Sequence, residues 1–201
     1  MSQVAVRSHT SDMPQTALIL VDFQNDYFPS FPGAKLPLVG TEAAADNGAQ
    51  LLDAFRSQGL PVVHVHHEFP SEQAPFFAAG SDGVSIHTSV QPKPEEVRVL
   101  KHKVNSFVGT NLDHLLKELN VSRLFIAGAM SHMCIDGIVR AATDLGYECF
   151  LAHDACATRD LEFNEVTVPA AQVHAAYMAA LSSSYCLVDT TKALLGHLEV
   201  A

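Results

Sequence analysis

The segment VSRLFIAGAMSHMCIDGIVRAATDLGYECFLAH, residues 121–153, holds one complete unit of the fold. Its first eight residues form a short apolar run ending in glycine, which reads as a strand buried on both faces. From Cys134 onward Ile135, Ile138, Val139, Ala142 and Leu145 recur at helical spacing, and Gly146 supplies a stop. Residues 147–153 return to an apolar run. A strand, a helix and a strand so closely joined predict a right-handed crossover between parallel neighbours.

The same alternation extends in both directions. Residues 17–22 (ALILVD), 61–67 (PVVHVHH), 97–102 (VRVLKH) and 185–189 (YCLVD) are further strand-like runs. Between them, 44–57 sets Leu51, Leu52 and Phe55 on one helical face and stops at Gly59. Thr110, with Asp113 three residues on, resembles a capping box ahead of Leu112, Leu115, Leu116 and Leu119. The Ala-rich stretch 168–181 reads as a helix with Pro169 in its first turn. These elements predict an α/β protein, a three-layer α/β/α sandwich around a mostly parallel sheet, in one domain spanning 1–201. Residues 1–15 read as a frayed tail. Residues 68–96, with Pro70, Pro75, Gly80, Gly83, Pro92 and Pro94, form an irregular stretch long enough to be a lid or an oligomer contact.

Composition excludes several functions. The formal charge of −10, from 12 basic against 22 acidic residues, has the wrong sign for nucleic acid or an anionic lipid surface. Apolar runs are interrupted too often to span a membrane. The N-terminal residues lack the basic-then-apolar pattern of a secretory signal. The four cysteines form no CxxC pair, so reduced thiols and a cytoplasmic location are expected.

In parallel α/β sheets ligands bind beyond the carboxyl ends of the strands. Three residues there carry chemistry: Asp22 ends the first strand, Lys103 follows the third, and Cys134 opens the helix after the fourth. The positive end of a helix dipole and a nearby ammonium favour thiolate, which makes Cys134 the candidate nucleophile. Asp22 is the candidate proton acceptor and Lys103 the candidate partner holding the pair in register.

Three stretches, ALILVDFQNDYF around Asp22, KHKVNSF around Lys103, and GAMSHMCIDGIVRAATDLGYECFLAHDACATRDLEF from 128 to 163, together resemble the isochorismatase-like cysteine hydrolase family. Order and spacing match from residue 17 to 189. The resemblance implies an Asp22–Lys103–Cys134 triad and a thioester intermediate. It also implies a cis peptide between Ala129 and Met130, and an oxyanion hole made by the backbone N–H groups of Met130 and Cys134. Within the family the sequence looks most like streptothricin hydrolases and relatives of unassigned activity. The expected reaction is therefore hydrolysis of a non-peptide amide, lactam or carbamoyl C–N bond in a small molecule. The alternatives are vinyl-ether cleavage of the isochorismatase type and a metal-assisted, nicotinamidase-like amidase. Nicotinamidases bind metal through an Asp and two His after the second strand. Here the region reads HVHHEFP, the Asp-x-His arrangement is missing, and alternation separates His64 and His66 from His67. No metal and no cofactor are expected, and His67 alone of the three is assigned to the pocket.

Gln24, Phe28, Asn105, Phe107, His132 and Met133 flank the three catalytic candidates in sequence and are assigned with His67 to substrate binding. Phe76 and Phe77 are candidates for further aromatic surface. Asp136 and Arg140, four apart on a helix, read as a surface ion pair. Cys149, Cys156 and Cys186 read as buried and inert. Members of the family are commonly dimers or tetramers, so a homo-oligomer is expected.

Overall fold

A computed structural model describes residues 15–199; the proposed tail falls outside that range but for Gln15, which opens a strand. Six strands form one sheet in the order β3-β2-β1-β4-β5-β8. They are β1 Gln15–Val21, β2 Val62–His67, β3 Val97–Lys101, β4 Val121–Ala129, β5 Glu148–Ala157 and β8 Leu187–Asp189. Every neighbouring pair is parallel. The order reverses between β1 and β4, and a crevice opens at such a switch point beyond the strand ends.

Side chains alternate across the sheet and build two cores. Leu18 and Leu20 of β1, with Phe125, Ala127 and Phe150, pack against helix α1 (Thr41–Ser57) and against Leu194 and Leu198 of α5 (Thr191–Glu199). Ala17, Ile19 and Val21, with Val63, Val65 and Val99, face the opposite way. They meet α2 (Leu112–Glu118), α3 (Asp136–Asp144) and α4 (Ala170–Ser184) through Leu116, Ile138, Val139, Met178 and Leu181. This is the three-layer sandwich that the alternating pattern predicts. The second face matters for function, because β2 and β3 present His67 and Lys101 by the same alternation that buries Val63, Val65 and Val99.

Local differences from the sequence reading have physical causes. Val168 belongs to a hairpin that periodicity alone does not reveal, β6 (Leu161–Phe163) paired with β7 (Val166–Val168). Asn164 and Glu165 both take positive φ, 48° and 65°, as a tight two-residue hairpin turn requires. Helix α4 accordingly starts at Ala170, after Pro169. The capping box at Thr110 does not close. Thr110 Oγ1 accepts from the Leu112 amide and donates to the Ser106 carbonyl, while Asp113 is taken by Lys117 and the Tyr147 hydroxyl. Arg140 does pair with Asp136, at 2.8 Å. The segment 68–96 carries two short 3-10 turns and folds back over the strand ends.

Candidate active site

Lysine 101 stands at the centre of the site. In β3, Arg98 and Leu100 face outward while Val99 and Lys101 are buried, so a strand alternation that began as apolar ends in an ammonium at zero exposure. Its Nζ lies 2.8 Å from Oδ2 of Asp22, 3.1 Å from Nδ1 of His67 and 3.1 Å from Sγ of Cys134. An ammonium has three protons to donate, and here it meets three acceptors. Burial disfavours the charge, but Asp22 and then Cys134 outweigh it, and the pKa of Lys101 is raised. It is a lysinium held in the interior.

The other members arrive from three different strands. Asp22 follows β1 with φ 53°, an uncommon backbone for a side chain bearing a Cβ, and its amide is fixed by the Val65 carbonyl at 2.9 Å. Asp22 is fully buried beside Lys101 and Cys134. Cys134 sits in a one-turn π-helix, Ser131–Ile135, that runs into α3. The Met130 carbonyl ahead of it accepts from the amides of Met133 and Ile135, and the Ala129–Met130 peptide is cis. Gly128 is dictated by packing: a Cβ there would fall 2.0 Å from the Val21 carbonyl oxygen, and φ is +139°. That contact keeps the ends of β1 and β4 close, and with them Asp22 and Cys134.

Burial pushes the Cys134 thiol well above its usual range, Asp22 pushes it further, and Lys101 only partly opposes them. Burial and Asp22 thus act against the thiolate that the helix terminus favours, and Lys101 acts for it. A carboxylate oxygen of Asp22 lies within 4.8 Å of the Cys134 sulfur.

Lys101, not Lys103, is the lysine that meets Asp22 and Cys134. Lys103 is exposed and lines the mouth of the cavity, because β3 ends at Lys101 and the chain then leaves the sheet. Several pocket assignments change as well. Gln24 is fully buried, and its amide is consumed by main chain: Nε2 donates to the carbonyls of His67 and Val84, and Oε1 accepts from the His67 amide. Phe28 is a core residue stacked on His87, with ring centroids 3.7 Å apart. Asn105 turns back to accept from the Phe107 amide. Phe107 stacks on Tyr147 in the core between sheet and α3. His132 is turned toward Thr158, 2.6 Å from its Oγ1.

Met130, Met133, His67 and Cys134 do line the cavity. Its volume is ≈ 280 Å³, and Tyr27, Phe69, Phe76 and Phe77 supply aromatic walls. Segment 68–96 thus contributes three phenylalanines to this chain's own site. Asp26 anchors that wall: Oδ2 accepts from the Phe77 amide at 2.6 Å and Oδ1 from the Lys35 amide at 3.0 Å. Asp26 does not stand out in the sequence, and Lys101 escapes a reading that takes a strand Lys as facing solvent, although it shares the inward face of Val99.

Donor atoms of Asp22, His67 and Cys134 lie within 4.8 Å of one another, the one such grouping of three among the described residues. They do not fit a metal ion, because Nζ of Lys101 touches all three donors and fills the point on which they converge. His64 and His66 point elsewhere: His64 Nε2 meets Glu96 at 2.9 Å, and His66 borders a separate surface hollow beside Arg98.

A parallel α/β sandwich that gathers a carboxylate, a buried ammonium and a thiol at its carboxyl edge defines a class of strand-end hydrolases. The Isochorismatase domain model matches residues 16–183, and the chain belongs to the isochorismatase family of hydrolases. It is 47% identical over 180 residues to the isochorismatase family protein YddQ of Bacillus subtilis, covering 90% of this chain and 98% of that one. A streptothricin hydrolase of Streptomyces noursei is 31% identical over 187 residues, covering 90% of this chain and 71% of its own length. Among solved structures, a protein of Oleispira antarctica provisionally assigned as an isochorismatase hydrolase superposes with a TM-score of 0.88 at 61% identity, covering 90% of this chain and 96% of the other.

Proposed function

We propose that this chain hydrolyses a C–N bond other than a peptide bond in a small amide-like molecule, with Cys134 as nucleophile, Asp22 as general base and acid, and Lys101 as the fixed cation between them. The contact of Lys101 Nζ with both Asp22 and Cys134 is the observation that carries this reading. The streptothricin hydrolases and a ureidoacrylate amidohydrolase among the relatives supply the substrate type by analogy.

Asp22 takes the Sγ proton as sulfur attacks the carbonyl carbon, and the carbonyl π pair moves onto oxygen. The N–H groups of Met130 and Cys134 receive that oxyanion. When the carbonyl re-forms, the C–N bond breaks and the proton on Asp22 passes to the leaving nitrogen. Water then attacks the thioester while Asp22 takes its proton, and sulfur leaves and recovers that proton. Lys101 keeps its charge throughout. It offsets Asp22 at rest and the sulfur during attack.

Screening small amides, lactams and ureas for amine release identifies a substrate. On that substrate Cys134→Ala removes turnover, and mass spectrometry of the wild-type protein finds the acyl group on Cys134. Substantial hydrolysis by Cys134→Ala would sink the proposal.

A further inference from the structure

His67 has one ring nitrogen accounted for and one that is not. Resting on the cysteine-hydrolase reading, we infer that His67 is a fixed hydrogen-bond donor to substrate, offering Nε2–H to the cavity while Nδ1 receives Lys101. The acyl part of the substrate is then a compact, flat, mostly apolar group carrying one hydrogen-bond acceptor.

The orientation is fixed from three sides. Gln24 clamps the main chain of His67 on both its carbonyl and its amide, at 2.8 and 2.7 Å. Lys101 holds Nδ1 at 3.1 Å, and Phe69 packs on the ring with centroids 4.5 Å apart. The tautomer follows from the partner: an ammonium only donates, so Nδ1 accepts and the proton resides on Nε2. Burial first, and then the charge of Lys101, lower the imidazole to about 4, with Asp22 opposing and His102 reinforcing, so the ring is neutral near pH 7.

Nε2 is buried and has no partner among the described residues. A buried donor left unpaired is disfavoured, and a site built around one rejects ligands that cannot satisfy it. The open space beside this ring is the cavity of ≈ 280 Å³ walled by Tyr27, Phe69, Phe76 and Phe77. Those walls suit one ring with an acceptor on its edge.

Two measurements test this. In ¹⁵N–¹H correlation spectra at pH 7, His67 should appear as the Nε2–H tautomer, and an Nδ1–H tautomer or an imidazolium would overturn the inference. Benzaldehyde and the three pyridinecarbaldehydes then probe the cavity as reversible thiohemiacetals. The S–C bond forms at Cys134 and the thiol proton passes to the aldehyde oxygen. After correction for each aldehyde's affinity for a small free thiol, one pyridine isomer should bind at least roughly tenfold more tightly than benzaldehyde.

His67→Asn keeps an acceptor near the Nδ1 position but loses the distal donor, and should abolish the preference. His67→Gln keeps a donor near the Nε2 position and should retain it. Equal affinities in the wild type, or a preference unchanged by His67→Asn, would overturn the inference. Failure of every aldehyde, benzaldehyde included, to modify Cys134 counts instead against the cysteine reading, and the tautomer seen in the spectrum then decides the donor assignment alone.

Discussion

Lys101 and Lys103 are two positions apart, yet one is buried among acceptors and the other is exposed at the cavity mouth. Lys101→Met leaves the Asp22 carboxylate buried without its cation, which costs about 3–5 kcal/mol of stability. Turnover should fall by about 10²-fold or more. The double variant Asp22→Asn with Lys101→Met removes both charges and should recover much of the stability but none of the activity. Lys103→Met should change stability by no more than about 0.5 kcal/mol. Chemical denaturation and turnover on the same four proteins check this, and equal loss in the two single lysine variants would refute the assignment of Lys101. That Lys101 rather than Lys103 meets Asp22 and Cys134 was within reach of the sequence. Residues 97, 99 and 101 share one face of a strand, so a charge closing that series is an inward charge at a carboxyl end. Asp22 and Cys134 were legible because each marks the boundary between elements. The roles of Gln24 and His132 were not, since which partner an amide or imidazole finds depends on contacts 43 residues away for Gln24 and 26 for His132.

Among the elements, the aromatic wall is the least regular and depends most on a single anchor. A Cβ on Gly83 would lie 2.2 Å from Oδ1 of Asp26, so Gly83→Ala must displace the carboxylate that holds the Phe77 amide. Phe77 itself has φ 48° and needs that anchor to keep its backbone. Gly83→Ala should therefore raise hydrogen exchange at the Phe77 amide by about tenfold or more while the amides of β1 and β4 stay protected. No change at Phe77 would show that the wall is held by packing alone. The strands and the longer helices were legible because burial on both faces and 3.6-residue spacing leave strong patterns. The wall and the β6–β7 hairpin were not, because aromatic residues in a Pro-rich loop have no period, and a three-residue strand is too short to show one.

At the scale of the whole molecule, buried titratable groups define a window of pH stability. Cys149 is pushed up to about 11, and Cys156 and Cys186 to about 12, in each case chiefly by burial. All three folded values lie above the unfolded thiol value of about 8.5. Their contribution is full below that value and is lost as pH rises toward 11–12, because the unfolded chain ionises first. On the acid side burial works against the Glu96 charge, but the Arg56 hydrogen bond, the Lys93 amide and His64 override it and lower it to about 2. His64 is itself lowered, mainly by burial. These contributions are present above the unfolded values of about 6.5 for His and 4.3 for Glu, and decline below them. The urea midpoint should thus be flat between about pH 6.5 and 8.5 and fall on both sides. A midpoint still constant at pH 11 would refute the thiol contribution. No described helix is long and apolar enough to cross a membrane, and the chain carries a formal net charge of −10.

The saturation of Lys101 by three buried acceptors also bears on how the protein responds to salt. Mobile ions screen charges that solvent can reach, over about 10 Å at 0.1 M, and none of the charge in the Asp22–Lys101 pair is exposed. Added sodium chloride should leave the maximal rate on a neutral substrate unchanged. For an anionic substrate, which the net charge of −10 repels, the same salt should instead raise the efficiency of capture.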